Sequence, residues 1–388
     1  MSKIELNHMQ QAAVEKYLDW YHNPSKRIRP WFEISGAAGT GKTTVVGTIS
    51  RELGLTEEQI AYMAFVGKAT LALRQNGLPA KTIHSSIYNL TKVKKYDEHG
   101  VSYYVDDFVK KPHLSPELRQ IVVDEGGMVG SKIGEDLLSY KIPTLILGDL
   151  KQLPPVMSKR MFLNAPDVTL TEIVRQAKDS PIIYLSQLAT HGIDIPYGIY
   201  GDNECVVIHK DELNEDHLRE SDIVICGTNK MRDIINNFMR SRIQGINVDR
   251  ITVGDKLVCR QNCWNRSIDE DITLVNGLIG YVESIYMEAG NADMLIDFRP
   301  EFTHKVFKKV PINHSYIFKP YPDRIDTQIK YMNGVAFEFG NAITCHLSQG
   351  SQYDTVLVYV ENATNSLYFR QWLYTAITRA KKKLILVI

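Results

Sequence analysis

"WFEISGAAGTGKTTVVGTIS", Trp31–Ser50, runs from an apolar strand through a glycine-rich turn into an amphipathic helix. Its middle, "GAAGTGKT" (Gly36–Thr43), matches the complete phosphate-loop pattern in the context that pattern needs. Backbone N–H groups and a helix N-terminus there favour an anionic phosphate. Lys42 is expected to reach the β- and γ-phosphates, and the Thr43 hydroxyl to ligate Mg²⁺. Gly36, Gly39, Thr40, Gly41 and Thr44 complete the expected ATP cradle. In the helix that follows, Val45, Val46, Ile49 and Leu53 share one face, and Gly54 suits a C-cap.

Outward from this stretch the same rhythm recurs. "QIVV" leads into "DEGG", "PTLIL" into "GDLKQ", and "DIVIC" into "GTN". Continuous apolar runs suit strands buried on both faces of a parallel sheet, whose chemistry collects at the carboxyl ends. The four matches predict an α/β fold. Asp124 would hold Mg²⁺, and Glu125 would orient or deprotonate the attacking water. Adjacent carboxylates on an apolar strand are costly without a cation or proton to hold them. Gln152 would touch the γ-phosphate as an uncharged hydrogen-bonding group. Two regions break the rhythm. Residues 88–112 alternate around a turn at "DEHG", which predicts a β-hairpin, and residues 250–335 read as a small β-rich insertion.

With 388 residues, 44% hydrophobic and 23% charged, the chain has the make-up of a globular protein of two or three domains. Forty-five basic residues balance 45 acidic ones, which excludes a protein that coats nucleic acid by bulk charge but allows a local basic groove with stacking aromatics. The opening "MSKIELNHMQQ" lacks the apolar core of a signal peptide, and no apolar run has the length of a membrane span. Five scattered cysteines read as ordinary thiols in a reducing cytoplasm.

In their order along nearly all of the chain, these motifs resemble the superfamily 1 DNA helicases of the RecD-like, Dda-like group. "LNHMQQ" resembles the group's adenine-reading motif, with Gln10 on the base. "KTIHSSI" is similar to its "TIH" segment, implying Thr82 and His84 near single-stranded DNA. "AFVGKATLAL" resembles a Pro-Thr-Gly-Lys-Ala-Ala motif, with Phe65 and Val66 in place of Pro and Thr; Lys68 stays and Phe65 could stack on a base. Arg175 of "TEIVRQ" and Arg379 of "LYTAITRAKKKL" match the family's γ-phosphate-contacting arginines. "AITCHLSQG" implies Thr344 and His346 near DNA and Gln349–Gly350 near the nucleotide, and the "GTN" cluster adds Thr228 and Asn229 as DNA contacts. Read one by one, His84 and His346 also suit packed neutral histidines. Tyr88, Tyr103, Tyr104 and Phe108 suit either the core of the hairpin or a stacking surface. After its Asp–Glu the family has a small residue and then Ser or another polar one; here Gly126 and Gly127 follow, so a hydroxyl that couples hydrolysis to DNA is missing.

The resemblance implies two RecA-like domains: 1–185, carrying a pin insertion at 85–115, and 186–275 with 336–388, interrupted by an SH3-like β insertion at 276–335. In that insertion Lys305, Lys308, Lys309, Lys319, Arg324 and Lys330 alternate with Phe302, Phe307, Tyr316, Phe318 and Tyr321, which suits a DNA clamp or an ordinary barrel surface. The N-terminal accessory domain of larger RecD-like proteins is expected to be absent. The implied activity is ATP-dependent 5′-to-3′ translocation on single-stranded DNA and fork unwinding, in replication, recombination or repair. The expected form is a monomer with a single-strand-binding protein as partner, no membrane, and the cytoplasm of a bacterial or phage-infected cell as its place. The alternative is a DNA-stimulated ATPase that displaces bound proteins without unwinding. A small-molecule kinase would account for "GAAGTGKTT" but leaves "TAITRAKKK" and "CHLSQG" idle.

Overall fold

A computed structural model describes residues 6–65, 67–75, 77–96, 102–154, 160–173, 179–268, 272–287, 294–321, 323 and 334–388. The chain divides into two compact units, 1–193 with 370–378, and 194–369 with 379–388.

In the first unit the strands are β1 (Trp31–Gly36), β2 (Ile60–Ala64), β3 (Lys81–Thr82), β4 (Tyr88–Tyr96), β5 (Ser102–Lys110), β6 (Gln120–Asp124), β7 (Thr144–Gly148) and β8 (Val168–Leu170). Six of them form one sheet in the order β3-β2-β6-β7-β1-β8, and every pairing in it is parallel. Parallel strands need crossovers, and the helices Lys42–Glu52, Gly67–Gln75 and Ser131–Leu138 supply them. Val45, Val46 and Ile49 are buried as their spacing predicts, each contributing about 1.5–3 kcal/mol. Leu53 packs beside them, and Gly54 takes the left-handed φ of 61° that ends the helix.

The alternation at 88–112 forms the antiparallel pair β4–β5, in register from Tyr88 opposite Lys110 to Tyr96 opposite Ser102. The predicted "DEHG" turn lies outside the described residues. The hairpin's base is anchored. Tyr140 Oη donates to Ile87 O and Lys111 O at 3.1 and 2.6 Å, and Tyr88 Oη donates to Asp136 Oδ2 at 2.7 Å.

The second unit has β9 (Gly198–Tyr200), β10 (Cys205–Ile208), β11 (Ile223–Cys226), β12 (Lys256–Cys259), β13 (Cys263–Ile268), β14 (Ile272–Leu274), β15 (Ile279–Met287), β16 (Met294–Pro300), β17 (Phe307–Ile312), β18 (Phe337–Phe339), β19 (Ala342–Thr344), β20 (Tyr353–Tyr359) and β21 (Ala380–Val387). Its main sheet, β19-β11-β20-β21-β10-β9, is parallel except for the edge strand β9. Both units therefore carry a RecA-like parallel sheet. Within the second unit, between β11 and β19 in sequence, β17-β16-β15-β12-β18 form an antiparallel sheet whose ends are joined by the bridge from Ile312 to Val335. β12 and β18 come from outside 276–335: β12 covers the backbone edge of β15, β18 pairs with β12, and Phe337 of β18 joins the small core of Phe298 and Phe307. Phe307 and Tyr316 are buried and so belong to this core, while Arg324 and Lys330 lie outside the described residues. All five cysteines are buried thiols outside any disulfide. Among the described residues no helix is long and apolar enough to cross a membrane.

Candidate functional site

Strand register collects the first unit's candidates on one edge of its sheet. Ala64 lies opposite both Thr82 and Asp124, and Ser35 lies opposite Gly148. Along the carboxyl edge the order is thus Thr82, Phe65, Asp124, Gly148, Gly36, with Gln152 just beyond β7. Nucleotide candidates fall at the β6–β7–β1 end and nucleic-acid candidates at the β3–β2 end.

The phosphate loop needs its glycines. Gly39 and Gly41 have φ values of 78° and 76°, and a Cβ on Gly36 would sit 2.5 Å from Thr40 Oγ1. Lys42 Nζ donates to Gly36 O at 2.6 Å and to Ala37 O at 3.2 Å, so the ammonium is held over the loop's own carbonyls. Thr43 is exposed and Thr44 half-buried at the helix start. Gln10 is buried and doubly engaged: its Nε2 donates to Thr40 O at 3.0 Å, and its Oε1 accepts from Asn7 N at 3.0 Å, closing the capping box of the helix His8–His22. Gln10 thereby ties its helix to the phosphate loop.

Asp124 accepts Glu125 N–H at 2.9 Å. Desolvation pushes its carboxyl pKa up, opposed by that hydrogen bond and by the charge of Lys42. A carboxylate held this way gains from a nearby cation. Glu125 has a left-handed φ of 52°, uncommon for a side chain with a Cβ and a mark of a position held by its surroundings. Gly126 is glycine for packing: a Cβ there would collide with Ile146 Cγ2. Gln152 is 9% exposed and its Oε1 has no hydrogen-bond partner among the described residues.

At the other end, Phe65, Tyr88 and Phe108 surround His84, with ring centroids 6.0, 5.7 and 5.5 Å from it. Burial pushes the His84 pKa down, so the imidazole is neutral at pH 7. Tyr88 is buried, whereas Phe108 is 37% exposed, so the cluster is core on one side and a ring surface on the other. Thr82 Oγ1 accepts Ser85 N–H at 3.1 Å as a helix cap. The side chain of Lys68 and the whole of Arg175 lie outside the described residues.

The second unit repeats the edge logic. Cys226 of β11 pairs with Thr344 of β19, so Thr228 and Thr344 leave adjacent strands side by side. Thr228 caps the helix Asn229–Phe238, and Asn229 Oδ1 accepts from Arg232 Nη1 at 3.0 Å. His346 is likewise lowered in pKa by burial and lies 3.4 Å from Tyr368 Oη. Arg379 is 4% exposed, and its Nη1 donates to Ser351 O at 3.1 Å, next to Gln349 and to Gly350 with its φ of 73°.

Three residues that the motif reading passed over belong with these. Glu361 Oε2 accepts Gly227 N–H and Thr228 N–H at 2.6 and 2.8 Å, and its Oε1 accepts the Thr228 hydroxyl at 2.5 Å. Asp149 and Tyr374 are hydrogen-bonded to each other in the first unit. Tyr374 stood in plain view in "LYTAITRA", but nothing in a linear pattern says which loop its hydroxyl meets.

Residues 5–211 match the family described as AAA domain, and residues 339–387 match the UvrD-like helicase C-terminal domain. The chain is 26% identical over 384 residues to the ATP-dependent RecD2 DNA helicase of Deinococcus radiodurans, covering 90% of this chain and 46% of that protein. It is 25% identical over 433 residues to an uncharacterized protein of Methanocaldococcus jannaschii, covering 92% and 36%. The chain thus spans less than half the length of these curated relatives. A Pif1 helicase structure, from work on unwinding at forked DNA by two coordinating copies, superposes with a TM-score of 0.56 at 17% identity, covering 99% of this chain and 92% of that one.

Proposed function

The chain belongs to the AAA domain family, among the superfamily 1 RecD-like helicases, and from that membership we propose that it is an ATP-dependent DNA helicase moving 5′ to 3′ on single-stranded DNA. The observation that carries the proposal is the convergence of Lys42, Asp124 and Gln152 at the carboxyl ends of β1, β6 and β7.

The residues fit ATP and Mg²⁺: a loop too tight for a Cβ at Gly36, a cation-seeking Asp124, and a Gln152 Oε1 without a partner among the described residues. Bound Mg²⁺ would neutralise phosphate oxygens, with Thr43 and Asp124 as its residues. Lys42 would exchange its two carbonyls for phosphate oxygens. Glu125 would take the proton of the attacking water, and Gln152 would hold that water or the γ-phosphate. Arg175 and Arg379 are assigned to the γ-phosphate, Gln10, Gln349 and Gly350 to the rest of the nucleotide. Hydrolysis that removes the γ-phosphate releases these contacts and gives the step. Phe65, Lys68, Thr82, His84, Thr228, Asn229, Thr344 and His346 are assigned to the strand. The hairpin, with Leu90, Val93, Tyr96, Phe108 and Val109 exposed on an anchored base, suits a wedge between strands. The β12–β18 sheet is assigned to clamping DNA. A monomer suffices for this scheme, with a single-strand-binding protein acting on the strand released.

Fork substrates test it. A fork with a 5′ tail should be unwound in an ATP-dependent way and a 3′-tailed one should not. DNA-stimulated hydrolysis with no unwinding of either fork would establish the protein-displacing alternative instead.

Glu361 offers a second check. Its carboxylate holds the three donors at the N-terminus of the helix Asn229–Phe238, where a strand phosphate would bind if Thr228 contacts DNA. Glu361→Gln removes a competing charge from that helix end and should tighten single-stranded DNA binding about three- to tenfold at low salt. Unchanged or weaker binding in a fluorescence-anisotropy titration would remove Thr228 from the DNA surface.

A further inference from the structure

The Tyr374 hydroxyl stands between the phosphate loop and the turn after β7. It accepts Ala38 N–H at 2.9 Å and donates to Asp149 Oδ2 at 2.5 Å. Both side chains are buried, Tyr374 at 2% and Asp149 at 4% exposure. Asp149 in turn shapes the turn that carries Gln152: its Oδ1 accepts Lys151 N–H at 2.9 Å and its carbonyl accepts Gln152 N–H at 3.3 Å. Two neighbours of Tyr374 hold the same turn. Thr375 Oγ1 accepts Leu153 N–H at 3.0 Å, and Gln371 Nε2 donates to Leu150 O at 3.3 Å. Gln152 Oε1, within this framework, lacks a partner among the described residues.

We propose that Tyr374 is a positioning residue, linking the state of the phosphate loop to the placement of Gln152 for ATP hydrolysis. The proposal rests on the nucleotide site assigned above. Ala38 belongs to the loop that must rearrange when Lys42 leaves Gly36 O and Ala37 O for phosphate. Because the Tyr374 proton is committed to Asp149, its remaining acceptor capacity faces Ala38, and neither buried partner can be abandoned cheaply. Movement of the Ala38 amide therefore shifts the hydroxyl, the Asp149 carboxylate and the turn behind it together. The Tyr374 carbonyl also accepts Thr378 N–H and the Thr378 hydroxyl at 3.1 and 2.9 Å, which fixes the residue just before Arg379 in the chain.

Tyr374→Phe keeps the ring and deletes the hydroxyl. Measured without nucleic acid, kcat for ATP should fall about tenfold while KM for ATP stays within about twofold. Asp149→Asn alone should lower kcat in the same direction, and adding it to Tyr374→Phe should cost little more, since the pair acts as a unit. A kcat within twofold of the parent, or losses that multiply in the double variant, overturns the proposal. Should Tyr374→Phe melt below the assay temperature, Asp149→Asn carries the same kcat-against-KM reading. A parent whose hydrolysis ignores single-stranded DNA would sink the motor reading and leave this comparison standing.

Discussion

Arg379→Ala is expected to lower DNA-stimulated ATP hydrolysis by about 10³-fold, the scale on which arginine fingers act in phosphoryl transfer. The guanidinium is assigned to charge that develops on the γ-phosphate, so the loss should fall on kcat and leave ATP binding nearly intact. Its burial within the second unit complicates the variant. Arg379 Nη1 holds Ser351 O, and truncation leaves that half-buried carbonyl short of this donor. Arg379→Lys keeps the charge without the planar fork and serves as the control. It should retain the parent's melting curve yet recover only a small part of the turnover. Turnover within tenfold of the parent in a folded Arg379→Ala protein would show that this arginine touches no phosphate.

Lys42→Ala should reduce hydrolysis by about 10²–10³-fold and abolish unwinding, because the ammonium is assigned as the loop's cation for the β- and γ-phosphates. The fold should survive. Among the described residues Lys42 bonds only to carbonyls of its own loop, and the helix behind it is held by Val45, Val46 and Ile49 packed against the sheet. Stability should change by no more than about 1 kcal/mol, so circular-dichroism melting separates the two effects. The assignment of the loop is falsified if Lys42→Ala unwinds a 5′-tailed fork at the parent's rate.

Much of the arrangement was readable along the chain because its signals are local. A buried parallel strand must be apolar throughout, and a catalytic group at its carboxyl end must follow at once. Hence "WFEIS" before the phosphate loop, "QIVV" before Asp124 and "PTLIL" before the Gln152 turn all announced themselves. The hairpin was equally visible, since alternation around a turn needs only neighbouring residues. The extent of the antiparallel sheet was not, because β12 and β18 lie far apart in sequence and meet only once the strands between them have folded.

The linear order of residues settled that the fold is α/β with buried parallel strands, that one strand leads into a phosphate loop, and which side chains follow the strands. Folding settled how those side chains are held. Ala38 and Tyr374 are 336 residues apart, Asp149 and Tyr374 225, and Thr228 and Glu361 133. Such pairs leave no periodicity and no motif; they form when two distant segments arrive at the same carboxyl edge. Gly126 makes the same point. In the sequence it only stands where the family has a small residue, and in the fold a Cβ there would collide with Ile146 Cγ2.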